Sequence, residues 1–291
     1  LASALGSWQW KFGKALDYRN GKYGNGVVVP KDADKGDIPF FQNCLVGISE
    51  HAYKLGYDTL LAVQDGDDIT PLRRLVTNRK VDGVVLTRLE ENDEAVEFLK
   101  KEDIPFVVMG TSDDDTLYQI DSDQTAGCYE MTKFMIRKGC TRVVVLAGNR
   151  NYRVNWCRYE GFAKAWKESG LSDSDRSVFW DVDMNADLER VLPEVLKENP
   201  QCLVCMDDAI CVSVLKWLRQ NDYEVPEDIQ VISFYDNPVL ENNSPPVTAL
   251  NVNVFTLTKR ASALLVDAIE GRQVPVHTNV NYELKIRASF R

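Results

Sequence analysis

The residues best suited to binding chemistry lie between 142 and 162, in the run RVVVLAGNRNYRVNWCRYEGF. Residues 143–147 are apolar and largely β-branched, the composition of a strand buried on both faces. The small and polar residues 148–151 break that pattern. From 155 onward Trp156, Tyr159, Phe162, Ala163 and Trp166 recur at helical spacing. The unit reads as strand, loop, helix, with Arg158 in the first turns of the helix. In open α/β sheets ligands bind beyond the carboxyl ends of the strands, so Arg158 stands close to such an edge. A guanidinium is a planar fork of five donors, suited to hydroxyl and carboxylate oxygens. Spacing alone equally permits a surface helix residue or a salt-bridge partner.

Metal, redox and catalytic chemistry find less support. The seven cysteines are Cys44, Cys128, Cys140, Cys157, Cys202, Cys205 and Cys211. An odd count scattered through apolar segments describes reduced thiols in a cytoplasmic protein. Cys202 and Cys205 form a C-x-x-C inside the apolar run CLVCM, with no second pair and with the two histidines, His51 and His277, remote in sequence. The pair therefore reads as buried strand residues rather than a metal site. No G-x-G-x-x-G follows a strand, and there is no P-loop, no H-E-x-x-H and no adjacent Ser–His pair. The expectation is a protein that is not an enzyme and uses no cofactor and no metal.

The elements that must position Arg158 follow from pattern. Apolar strands are expected at 26–30, 57–63, 81–86, 104–109, 118–120, 142–147, 177–182, 202–206, 229–234, 247–252 and 280–286. Helices alternate with them at 42–55, 70–78, 92–101, 125–138, 155–169, 186–198, 209–220 and 255–270. Strict β–α alternation implies parallel sheets covered by helices. Two similar runs in 291 residues imply two lobes, with chain crossings near 121–124 and 250–253. The composition, 44% hydrophobic and 27% charged, is that of a soluble globular protein, and no apolar run is long enough to span a bilayer. Nor does the N-terminus show an apolar signal region. Net charge is -10, yet residues 1–24 hold Lys11, Lys14, Arg19 and Lys22 against Asp17 alone. An acidic body repels phosphate backbones, so any nucleic-acid contact falls to that basic stretch or to a region upstream.

Four groups of segments carry a resemblance. GVVVP is followed by IPFF; VDGVVL by IPFVVM and IDSDQTAG; VVVLAG by RYEGF; and VCMDDAICVSVLKWL by VPEDIQVISFYDN, PPVTAL and YELKIRAS. In this order and spacing the chain resembles the ligand-binding core of the lactose/galactose-repressor family of bacterial transcription regulators, over about residues 25–291. That core is itself similar to periplasmic sugar-binding proteins. The resemblance implies an α/β fold of two Rossmann-like lobes with parallel sheets, the type I periplasmic-binding-protein-like arrangement. The implied division is 1–24 as hinge-like remnant of the DNA-binding region, 25–122 plus 252–279 as N-terminal lobe, and 123–251 plus 280–291 as C-terminal lobe. ALDYRNGKYGNGVVVP is similar to the family's hinge, which places Tyr18, Arg19 and Lys22 at DNA. A small polar effector, a sugar, would bind between the lobes and close them, changing how a homodimer holds DNA through an N-terminal domain absent from this sequence. The implied location is cytoplasmic, with no membrane. The same fold serves extracytoplasmic solute-binding proteins for a transporter or sensor, and the free cysteines weigh against that alternative.

Matched residue by residue, the resemblance assigns ligand contacts. Phe40 and Phe41 match an aromatic pair beside the cleft, able to stack on a sugar or a base; ordinary core packing is the other reading. Arg158 matches the family's effector-binding arginine. Asp207-Asp208 stands where the family usually has Asn-Asp, with Asp207 expected at the ligand and Asp208 expected to cap the following helix. Asp123 matches the aspartate at the inter-lobe crossing and equally suits a helix cap. Tyr235 falls where the family has an effector-contacting aspartate, a departure that keeps a hydroxyl and loses a charge. Trp156 and Trp180 are candidates for stacking, Trp180 being the better fit to packing.

Overall fold

The computed structural model describes residues 24–31, 40–182 and 188–291. Tyr18, Arg19 and Lys22, and the first residues of the helix expected at 186–198, lie outside the described residues. In chain order the elements are β1 (Gly24–Pro30), α1 (Phe40–Lys54), β2 (Asp58–Gln64), α2 (Thr70–Thr77), β3 (Gly83–Leu86), α3 (Glu94–Lys101), β4 (Phe106–Met109) and β5 (Tyr118–Ser122). There follow α4 (Gln124–Arg137), β6 (Val143–Leu146), α5 (Arg153–Glu168), β7 (Arg176–Phe179), α6 (Leu188–Lys197), β8 (Cys202–Cys205) and α7 (Asp208–Gln220). The chain ends with β9 (Gln230–Ser233), α8 (Pro238–Glu241), β10 (Thr248–Val252), α9 (Val254–Ile269), β11 (His277–Val280) and β12 (Tyr282–Lys285).

These elements form two compact units. The described part of the first is 24–31, 40–120 and 254–278; that of the second is 121–182, 188–253 and 279–291. The first unit's sheet has the order β11-β5-β4-β3-β1-β2, and β2, β1, β3, β4 and β5 pair in parallel. The second sheet runs β12-β10-β9-β8-β6-β7, parallel from β7 through β10.

Why the apolar runs are continuous is visible in the second sheet. Along β6, Val143 and Val145 face one core with Phe162, Trp166 and Met131 of α5 and α4. Val144 and Leu146 face the other, with Leu192 of α6 and Val214 of α7. Helices cover both faces, so a period-2 strand has no solvent side. β8 obeys the same rule: Cys202 faces the first core and Cys205 the second. Cys202 and Cys205 therefore point to opposite sides of the sheet, as buried strand residues do. α4 and α5 approach closely because Gly161 has no side chain. A Cβ there would stand 2.2 Å from the Thr125 carbonyl oxygen.

Three expectations need correction. Phe40 and Phe41, expected at the end of a loop, are the first residues of α1. The strand expected over 280–286 is β12 in the second sheet, and just before it stands β11, an unexpected strand that joins the first sheet. Each is a short edge strand whose identity rests on a distant partner, which local pattern does not encode. Finally, the second sheet is not wholly parallel, because β12 pairs antiparallel with β10, Leu250 opposite Leu284.

Candidate ligand-binding site

The order β7-β6-β8-β9-β10 reverses direction between β6 and β8. The chain leaves β6 toward one neighbour and reaches β8 from the other side, so the loops after these two strands splay apart. Such a switch point opens a crevice at the carboxyl ends of the strands. The two loops here are Gly148–Asn151 and Met206-Asp207, each leading into a helix.

Arg158 reaches this point from the second turn of α5. Its side chain is buried, with the residue 7% exposed. Nε donates to the Gln124 side-chain oxygen at 3.1 Å and Nη1 to the Met206 carbonyl at 2.8 Å, directly beyond β8. The guanidinium carbon lies 5.7 Å from the centre of the Tyr235 ring, at the end of β9. Among the described residues Arg158 has no carboxylate ion pair, and Nη2 has no hydrogen bond. A buried cation held only by neutral acceptors and a ring keeps donors for something else.

Asp207 and Asp208 divide the roles differently from expectation. Asp207 is the cap: its Oδ1 accepts from the Ile210 amide at 2.8 Å at the start of α7. The expectation placed the helix start one residue later, and so gave the cap to Asp208. Asp208 is instead inside the helix and 3% exposed. Its Oδ2 accepts from Asn237 Nδ2 at 2.5 Å, which ties α7 to the loop after β9. Burial, and then the neighbouring charge of Asp207, push the Asp208 carboxyl up to about 7, against the opposing pull of Asn237 and Arg158. The second Asp207 oxygen, Oδ2, stands beside the β6 loop. A Cβ on Gly148 would lie 3.5 Å from it and 2.9 Å from Asn155 Nδ2. Glycine at 148 is thus what lets Asn155 close on this loop, while Asp207 would make only an ordinary contact. Asn155 in turn donates to the Asn149 carbonyl at 2.9 Å.

The other candidates fall in several places. Asp123 caps α4, accepting from the Ala126 amide at 2.8 Å, the second of its two readings. Tyr235 is buried, and its backbone is pinned on both sides by the Ser233 hydroxyl. Trp156 donates its indole N–H to the Arg150 carbonyl at 2.7 Å and lies 4.6 Å from Trp180. Trp180 packs against the second unit's core. In the first unit Phe40 and Phe41 meet edge to face at 5.1 Å, and the Arg88 guanidinium carbon sits 4.9 Å over Phe41.

Sequence reasoning passed over Gln124, Asn155, Asn237 and Arg88. Arg88 carried a readable signal, a cation two residues beyond the buried strand β3. Asn155 lies one helical turn before Arg158 and so on its face, which was also readable.

A family model described as a periplasmic binding protein-like domain matches residues 132–290. The HTH-type transcriptional repressor PurR of Haemophilus influenzae (strain PittEE) is 26% identical over 266 residues, covering 88% of this chain and 79% of that protein. The crystal structure of a probable maltose operon transcriptional repressor, malR, from Staphylococcus aureus matches with a TM-score of 0.84 at 25% identity, over 93% of this chain and 98% of that one. A LacI family transcriptional regulator from Enterococcus faecium, solved with bound ribose, shares the fold with a TM-score of 0.80 at 22% identity, over 92% and 98%. The family model takes in more than half of the chain, so this protein belongs to the periplasmic binding protein-like domain family, among the cores of lactose/galactose-repressor family transcription regulators.

Proposed function

We propose that the chain is the effector-sensing core of a DNA-binding transcription regulator and that its effector is a sugar held at the β6/β8 switch point of the second unit. The observation that carries this reading is Arg158, buried at that point with Nη2 uncommitted. Arg158 donates to ring or hydroxyl oxygens. Asp207, at the same strand end, is the candidate acceptor for hydroxyls, and the Tyr235 ring lines the wall under the guanidinium. Asp123, at the head of α4, is a further hydroxyl acceptor beside this edge. Phe40 and Phe41, on the first unit, are further aromatic candidates for stacking on a sugar. A ribose-bound regulator of the same fold supports the choice of ligand class. The relatives being transcriptional repressors supports a regulator over a solute-binding protein, and a binding role over an enzyme.

The regulator acts in the cytoplasm, contacts DNA through the N-terminal side of the chain, where Tyr18, Arg19 and Lys22 lie, and works as a homodimer. On the first unit, α1 exposes Val46 and Tyr53, and β2 exposes Leu61 and Val63 on the face opposite buried Ala62. That patch suits a second copy. Sedimentation at micromolar concentration tests this, and a monomer would sink it.

The sugar reading is tested by thermal shift and calorimetry with a panel of neutral mono- and disaccharides. A ligand at a hundred times its Kd stabilises the folded chain by about 2.7 kcal/mol. Arg158→Ala, checked for folding by circular dichroism, should lower affinity at least tenfold. The reading fails if no sugar stabilises the protein, or if Arg158→Ala binds as the unchanged chain does.

A further inference from the structure

The body of the chain is acidic, but its charge is unevenly spread. Net charge is -10, yet between Thr70 and Asp82 the sequence carries Arg73, Arg74, Arg79 and Lys80 against Asp82 alone. Arg73 and Arg74 lie on α2, and Arg79 and Lys80 lie in the loop after it. All four are exposed.

The first sheet fixes where this run stands. β1, β2, β3 and β4 are parallel, with Gly24 opposite Asp58, Asn25 opposite Gly83 and Val84 opposite Phe106, so these strands begin along one edge. A helix that links parallel strands runs back against them, so α2 ends at that edge. The loop after α2 then closes on the start of β1. The Gly24 amide donates to Asp82 Oδ2 at 2.8 Å, and the Asp82 amide donates to the Gly24 carbonyl at 2.7 Å. A Cβ on Gly24 would stand 2.3 Å from the Lys80 carbonyl oxygen. Lys80 thus lies against the residue through which the preceding chain enters the unit. That preceding chain is itself basic, with Lys11, Lys14, Arg19 and Lys22.

A cation or two at the end of a helix is ordinary, because the helix dipole favours it there. Partners make the difference here. Lys54, at the end of α1, pairs with Glu50 at 2.6 Å; Arg272, just after α9, pairs with Asp267 at 2.6 Å; Lys100, in the last turn of α3, pairs with Asp114. Among the described residues Arg73, Arg74, Arg79 and Lys80 have no ion pair. Arg73 lies over the Phe98 ring, its guanidinium carbon 4.5 Å from the centre. The acids along the same edge are Asp58, Glu102 and Asp103, all exposed, and Asp82, which is committed to Gly24. Like charges left side by side without anions repel one another, a cost that an external anion removes. Guanidinium groups grip phosphates through paired donors, and an ammonium meets them as a point charge. A run of such groups spread over a helix and its loop suits a row of phosphates better than one small anion.

We propose that Arg73, Arg74, Arg79 and Lys80 contact the phosphate backbone of the DNA to which the chain before Gly24 leads, so that the core itself adds affinity for DNA that does not depend on base sequence. This rests on the reading of the protein as a DNA-binding regulator.

The test is fluorescence anisotropy of the full-length gene product with labelled duplexes of about 30 base pairs, one of mixed sequence and one operator, from about 50 to about 200 mM salt. One variant combines Arg74→Gln, Arg79→Asn and Lys80→Gln, asparagine being suited to the φ of +51° at position 79. A control combines Arg137→Gln, Lys138→Gln and Lys167→Gln, exposed cations of the second unit. Circular dichroism checks both for folding. Each phosphate contact adds about 0.9 to the slope of log affinity against log salt, so the first variant should lose about 2–3 from that slope. Its affinity at the lowest salt should fall at least about tenfold, by the same factor on both duplexes. The control should keep the slope. An unchanged slope in the first variant, or an equal loss in the control, overturns the basic edge while leaving the DNA-binding reading standing. No binding of either duplex by the unchanged protein overturns both readings together.

Discussion

Replacing Asp208 by Asn should stabilise the protein, and by an amount that depends on pH. The carboxyl is buried, follows Asp207 in the chain, and is pushed from an ordinary 3.8 to about 7. An acid whose folded value is raised binds its proton more tightly in the folded state. Between about pH 4 and pH 7 the unfolded chain has lost that proton and the folded one has kept it, so stability falls as pH rises through this window. At about 1.4 kcal/mol for each tenfold difference, the full cost above pH 7 is about 4 kcal/mol. Asparagine keeps an oxygen to accept from Asn237 Nδ2 and carries no proton equilibrium. The variant should therefore match the unchanged protein near pH 4 and exceed it increasingly, the difference growing by about 2.3 kcal/mol from pH 5 to pH 7 and levelling above pH 8. Urea denaturation followed by tryptophan fluorescence reads this well, because Trp156, Trp166, Trp180 and Trp217 all lie in the second unit. Every other titrating group is common to the two proteins, so the difference curve isolates Asp208. A flat difference curve, or an Asn variant that is less stable at pH 8, would refute the account of a carboxyl held neutral by burial.

Two substitutions probe the frame that holds the site. Gly161→Ala forces a methyl against the Thr125 carbonyl of α4, a backbone atom that cannot swing aside, and should cost about 1–3 kcal/mol in urea denaturation; a neutral result would mean α4 and α5 separate easily. Asp236 is paired with Arg287 through two bonds, at 2.7 and 2.8 Å, with the Asp236 side chain 3% exposed. Asp236→Ala leaves that guanidinium half-buried without its anion and should cost about 3–5 kcal/mol, whereas a loss under about 1 kcal/mol would show that Arg287 relaxes into water.

Much of the frame was legible because it depends on local pattern. A run such as Val143 to Leu146 has to be buried on both faces, and both cores claim it. Helix ends marked by Gly139 and Gly170 were readable for the same reason, since each residue stands at positive φ where the helix stops. What escaped was long-range or hung on one residue. β11 and β12 are short, and nothing in their own residues says that each joins a different sheet. Asp207 and Asp208 are the same side chain twice. Which one caps α7 depends on a helix boundary, and a shift of one position exchanged their roles.

Arg158 was the part of the site most open to reading, and its surroundings explain what kind of ligand it suits. Its partners are an amide oxygen, a carbonyl and an aromatic ring, none of which neutralises it. The acid most deeply buried nearby, Asp208, has its carboxyl pushed up to about 7 by burial and makes no ion pair with the guanidinium. The switch point thus offers one strong donor in Arg158 and one acceptor in Asp207, close to balance in charge. A phosphate would satisfy the arginine and be repelled by Asp207; an ammonium would satisfy Asp207 and be repelled by the arginine. A hydroxyl both donates and accepts, so a ring bearing several hydroxyls can meet both groups and leave no charge unanswered.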